Sequence, residues 1–157
     1  MPTIEISDEH NGVLSFDLSD ILGVLEPFAR EFEWYISEFV PSVFVGANDV
    51  PPRVEPWVIA LWHQIEESKV PIRLSWARLI EFARNLMQTE NATLFALKPG
   101  SILPDPPPDL NSDKFEIVVQ GVDTSFWAIT TRNPTIIDQL RVRFKDTKIV
   151  PRTAAYY

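Results

Sequence analysis

Few side chains in this sequence are able to do acid–base, nucleophilic or metal chemistry. Cysteine is absent, and the only imidazoles are His10 and His63. That removes thiolate catalysis, disulfides and cysteine-based zinc sites together. His63 stands with Glu66 and Glu67 at i, i+3 and i+4, a helical spacing that presents two ligands to one metal. The pattern shows no third ligand, so the expectation is a solvated helix face with no metal and no cofactor. Asp8, Glu9 and His10 fall where a turn is expected, and polar residues belong there anyway. Neither histidine comes with a G-x-S-x-G elbow, and the five glycines form no dinucleotide or phosphate loop. What remains for catalysis is a carboxylate in an aromatic pocket. Trp57, Trp127 and Asp123 are the candidates for such a small-molecule-binding or hydrolytic site.

The other chemistry on offer is charge. The chain carries a net −8, and residues 1–56 hold 11 acidic against 2 basic side chains, whereas residues 57–104 hold 4 against 5 and residues 105–157 hold 7 of each. A local acid excess of this kind suits a cationic protein partner and argues against binding nucleic acid, which is built on clustered Lys and Arg. From Glu31 the apolar period is two, so Phe32, Trp34 and Ile36 point one way and Glu31, Glu33 and Tyr35 the other. Glu26, Glu31, Glu33 and Glu38 with Tyr35 are thus the expected partner-binding set, on the outer face of a half-buried strand. Reversing Glu31 and Glu33 to lysine is expected to leave the fold intact.

These residues are positioned by elements that the pattern predicts in turn. Ile4 and Ile6 alternate with polar neighbours, and Val13 to Phe16 forms a second apolar run across Asn11-Gly12, which predicts an opening hairpin. Leu18, Ile21, Leu22 and Leu25 predict a short helix behind Asp17, ending near Leu25 because of Pro27. A loop through Pro41, Gly46, Asn48, Asp49, Pro51 and Pro52 leads to a helix that starts at Pro56, with Val58, Leu61, Trp62 and Ile65 on its apolar stripe. The clearest helix is capped by Ser75 and carries Trp76, Leu79, Ile80, Ala83, Leu86 and Met87 on one face. Thr93 to Leu97 predicts a buried strand. Residues 99–114, rich in proline and aspartate, predict an exposed loop whose Pro104–Pro108 run has polyproline II character. Phe115 to Val119 and Phe126 to Thr130 predict two strands around Gly121 to Ser125, followed by a helix from Asn133-Pro134 and a last strand at Lys148 to Val150.

At 157 residues with 45% hydrophobic content, the chain is expected to form one domain, residues 1–157. The expected class is α+β: a mixed, mostly antiparallel sheet of about five or six strands packed by three or four helices, with the last strand parallel to the Phe126 strand. No run approaches the ~18 apolar residues of a membrane span, and the acidic start is unlike a signal peptide, so a cytoplasmic location without membrane contact is expected.

Val122-Asp123-Thr124-Ser125-Phe126-Trp127, followed by Ile136-Ile137-Asp138-Gln139-Leu140 and Phe144-Lys145-Asp146, resembles the closing region of small bacterial immunity-type proteins. The Leu74-Ser75-Trp76 helix entry is similar to theirs as well. The resemblance implies a bacterial cytoplasmic protein that neutralises a toxin by binding it, and it carries no catalytic residue over. Charge and resemblance together lead to the expectation of a non-catalytic protein-binding domain with a basic partner.

Overall fold

The computed structural model of the chain describes residues 1–10, 12–41, 55–85 and 88–151. The strands among them are β1 (Pro2–Ile6), β2 (Glu9–His10), β3 (Val13–Leu14), β4 (Glu33–Pro41), β5 (Ile72–Leu74), β6 (Thr89–Leu97), β7 (Ile117–Val122), β8 (Phe126–Thr131) and β9 (Thr147–Pro151). The helices are α1 (Leu18–Ala29), α2 (Pro56–Glu67), α3 (Trp76–Arg84) and α4 (Pro134–Arg143). Seven strands join in one sheet, in the order β5-β4-β6-β7-β8-β1-β9. The α+β class is as expected, with one more strand than anticipated. Every neighbouring pair in the sheet is antiparallel, so the expected mixed character is corrected. β9 does run in the direction of β8, but β1 lies between them and is antiparallel to both.

The opening hairpin does not form as expected. Ile4 and Ile6 are completely buried, and β1 reaches that state by pairing with β8 on one side and β9 on the other. β2 and β3 instead make a separate two-residue ladder, Glu9 opposite Leu14. Of the residues named for the turns and loops, Asn11, Gly46, Asn48, Asp49, Pro51 and Pro52 lie outside the described residues, as do Leu86 and Met87 of the Ser75 helix.

Side-chain alternation divides the sheet into two faces. Ile4, Ile6, Trp34, Ile36, Leu94, Ile117, Val119, Trp127 and Ile129 turn to the side on which the helices bury Leu18, Ile21, Leu22, Leu25, Val58, Ile65, Leu79, Phe82, Ile136 and Leu140. The indole N–H of Trp34 donates to the carbonyl of Ala29 at 2.9 Å, tying the end of α1 to β4. On the other face Tyr35, Phe95, Leu97, Phe115 and Val118 form a smaller core, against which Leu103 and Leu110 pack. The segment 99–114 contains no helix or strand, as its prolines dictate, yet it is not merely an exposed loop. Two leucines spaced along it cover the second face of the sheet.

Local chemistry explains where three of the four described helices begin. Ser75 accepts the Arg78 N–H through its hydroxyl at 3.2 Å, and Asn133 accepts the Thr135 N–H at 3.0 Å ahead of Pro134 in the first turn of α4. At α1 the Asp20 carboxylate accepts the backbone N–H of Asp17 at 3.0 Å. α1 runs on past the expected stop at Leu25, with Pro27 inside it. Gly23, four residues before the proline, and Pro27 itself are both exposed, so water can hydrate the Gly23 carbonyl while Ala29 is buried. β5, three residues long, was not anticipated, because a segment that short has no readable period.

The strand β7 extends through Gly121, which the sequence placed in the turn. Gly121 is paired with Trp127 across the β7–β8 ladder, and a Cβ added there would sit 3.1 Å from the indole ring. The absent side chain is what lets Trp127 lie flat on the strand. Gly121→Ala is therefore expected to cost roughly 1–3 kcal/mol through overpacking, read as a lowered urea midpoint with an unchanged slope. A change under about 0.5 kcal/mol would mean that the indole has room to move away.

Candidate functional site

The helix-free face of the sheet carries a cleft at its β4–β6 end, with a volume of about 330 Å³. Three elements build it. The floor is Ser37 and Glu38 from β4 with Thr93 and Phe95 from β6; one wall is the α2–β5 connection, Ser68 to Pro71; the other is Pro107, Pro108 and Leu110 from the covering segment. The floor owes its shape to an irregularity in β4, where Ile36 pairs with Leu94 and Glu38 with Thr93, leaving Ser37 as the extra residue. Such a bulge redirects the side chains that follow it. Here it brings Glu38 onto the face of Tyr35 and Phe95 while Phe39 still reaches the helix side, edge-on to Phe82 at 4.9 Å.

The polar groups of the cleft are held by one another. The Thr93 hydroxyl donates to Glu38 Oε2 at 3.3 Å, the Ser37 hydroxyl to the Thr93 carbonyl at 3.4 Å, and the Ser68 hydroxyl to the Val70 carbonyl at 2.7 Å. Lys69 stands exposed at the rim. None of the three hydroxyls faces an imidazole, since neither His10 nor His63 lines the cleft. A serine whose proton goes to a backbone carbonyl is not an activated nucleophile. The cleft combines a half-buried carboxylate at the floor with apolar walls from Val70, Pro71, Pro107, Pro108 and Leu110.

The residues expected to form one acidic surface are distributed instead. Glu26 is exposed on α1, in the helix layer, and Glu31 is exposed in the turn before β4. Glu33 and Tyr35 do lie on the face opposite Trp34 and Ile36, but that face is covered. Glu33 forms an ion pair with Arg73 of β5 and accepts the Gly100 N–H at 3.3 Å, so its carboxylate fastens the covering segment to the sheet. Tyr35 is buried and stacked on Phe95 at 5.7 Å. Glu38 alone of the five lines the cleft. The expectation that Glu33 reversal spares the fold is corrected accordingly, because a lysine there would face Arg73.

Trp57, Trp127 and Asp123 do not converge. Trp127 is buried in the helix-side core, Trp57 lies half-buried on α2 with the Arg78 guanidinium 4.5 Å above its ring, and Asp123 is exposed in the β7–β8 turn with φ +48°. None of them lines the cleft or a second one of about 530 Å³ between α1 and α4. His63 is exposed, its Nδ1 3.5 Å from Glu66, and among the described residues no three His, Asp or Glu side chains are grouped as metal ligands. The cleft itself went unread in the sequence. Its signals were Leu103 and Leu110, which with the exposed Ile102 are the apolar positions of a polar and proline-rich stretch, and the Ser37 insertion that shifts the period of β4.

One half-buried acid is electrostatically unusual. Asp17, at the N-terminus of α1, has its pKa pushed up to about 6 by burial, which outweighs the hydrogen bonds it accepts from the Thr89 hydroxyl and from the backbone N–H groups of Leu18 and Thr89. Asp20 nearby raises it further. Asp17 is far in sequence from the cleft residues and bridges α1 to the start of β6 at 3.1 Å through Thr89.

The chain matches no protein-family model, no curated protein and no solved structure. No helix among the described residues is long and apolar enough to cross a membrane.

Proposed function

We propose that the protein is a non-catalytic protein-binding domain that receives a lysine or arginine side chain of a basic partner in the cleft at Glu38. The single observation behind this reading is the Glu38 carboxylate, oriented by the Thr93 hydroxyl at the floor of a slot with proline and valine walls. A long cationic side chain is amphipathic: its methylene stem favours apolar walls and its head a carboxylate with further oxygen acceptors. The net charge of −8 adds attraction at long range. In its sharpest form the reading is an immunity role, in which a bacterial cytoplasmic protein binds and neutralises a basic toxin. The similarity noted in the closing region supports that form.

The test uses a short probe, an acetyl-Gly-Arg-Gly amide peptide, titrated into isotope-labelled protein and followed by amide shifts. Shifts are expected at Ser37, Glu38, Lys69 and Thr93. Glu38→Gln should weaken binding by about tenfold, since a charge-assisted hydrogen bond contributes roughly 1.5–3 kcal/mol. Lys69→Gln should strengthen it by removing a like charge at the rim. Equal binding of a citrulline peptide, which keeps the shape without the charge, would overturn the reading.

A further inference from the structure

β9 closes one edge of the sheet, and the phase of its ladder shows what it offers to that edge. Lys148 is opposite Glu5 and Val150 opposite Thr3, and the Ser7 N–H donates to the Asp146 carbonyl at 3.0 Å. In an antiparallel ladder the residues alternate between bonding the neighbour and facing away from it. Lys148 and Val150 therefore direct their backbone groups to β1, in phase with the Asp146 carbonyl on Ser7, and Thr147, Ile149 and Pro151 direct theirs outward. The open edge presents two N–H donors, those of Thr147 and Ile149, because Pro151 has none. Among the described residues no strand pairs with it.

The same edge exposes an apolar side chain. Ile149 lies on the helix side of the sheet in register with Ile4 and Ile129, both completely buried, yet it is itself 51% exposed. The helix layer stops short of it, since α4 packs on β8 and α1.

We infer that this edge pairs with the same edge of a second copy of the chain, antiparallel, about a two-fold axis through Ile149. Two registers would each make four backbone hydrogen bonds, and charge decides between them. With Thr147 opposite Ile149 of the second copy, Lys148 would face Lys148 directly, in the position where cross-strand side chains are closest. With Ile149 opposite Ile149, those two residues exchange both of their bonds, and each Thr147 N–H meets the Pro151 carbonyl of the other copy. Both outward donors are then used, the missing donor of Pro151 falls at the strand end, and Lys148 stands opposite Val150. The exposed isoleucines cover each other. A self-complementary patch of this kind is what a two-fold contact requires.

The contact is small, so the dimer is a weak, transient one that populates at high protein concentration. Sedimentation velocity of the full chain from dilute to millimolar concentration should show a monomer–dimer equilibrium. In mixed labelled and unlabelled protein, intermolecular NOEs should connect Ile149 with Ile149. Ile149→Lys should weaken the dimer at least tenfold without altering near-UV circular dichroism. Thr147→Pro, which removes an outward donor and no bond to β1, should do the same and guards against a folding defect in the first variant. A protein that stays monomeric at millimolar concentration, a dimer indifferent to both substitutions, or NOEs placing the contact elsewhere would each overturn the inference.

Discussion

Leu79→Ala should lower the unfolding free energy by about 2–5 kcal/mol, through lost transfer free energy and the cavity left behind. Leu79 is completely buried on the inner face of α3, whose packing reaches α1. It lies beside Phe82 and Ala83, which are also buried, while Trp76 and Ile80 on the flanks of the same stripe are only partly so. The helix has little freedom to collapse into the gap, because Ser75 fixes its first turn and Phe39 abuts Phe82 from β4. Ile80→Ala, at a half-buried position, should cost less than half as much. Urea melts of both variants check the ordering, and a loss below about 1 kcal/mol for Leu79→Ala would place α3 outside the main core.

The second large effect concerns pH. Asp17 titrates at about 6 in the fold against an ordinary 3.8, so the folded state binds its proton more tightly than the unfolded chain does. Its contribution to stability is fully present below the unfolded pKa and is lost as pH rises from about 4 through 6. The size follows from the shift at 1.36 kcal/mol per unit, on the order of 2–3 kcal/mol. Asp17→Asn keeps the shape and the ability to cap α1 but removes the titration. The stability of Asp17→Asn relative to the natural protein should therefore improve by about that amount between pH 4 and pH 7. Thermal or urea denaturation at the two pH values measures it. A difference that stays constant across the range would show that Asp17 is effectively solvated.

How much of this was legible in the sequence depended on whether the determining interaction was local. Ser75, Asn133 and Pro134 announce α3 and α4 because a cap is a contact over two or three residues. The strand, strand, helix, strand order of the last third is legible for the same reason. Pairing partners are not local, so β1 was read with its sequence neighbour although Ile4 faces Ile129 and Ile149. Gly121 was read as a turn residue because its reason for being glycine is the Trp127 ring on the next strand. The acidic face failed as a unit for a related cause. Alternation assigned Glu33 and Tyr35 to the correct side of β4, but nothing in that stretch reports that Leu103, Leu110 and Gly100 come from elsewhere to cover it.

The placement of β1 between β8 and β9 has a consequence for the history of each molecule. Thr3 and Thr130, 127 residues apart, share a buried hydrogen bond, and the first strand has no edge to pair with until the last third of the chain exists. During synthesis the N-terminal residues must wait, with Ile4 and Ile6 uncovered, until β8 has left the ribosome. Closing a loop of that size early is entropically unfavourable, and pairings of high sequence separation are slow to form. The nascent chain is therefore expected to assemble its β4–β6–β7–β8 portion first, to add β1 to the β8 edge afterwards, and to lay β9 on β1 last. That interval exposes a β-prone, apolar segment, and it is when the protein is most open to capture by chaperones or by misfolded neighbours.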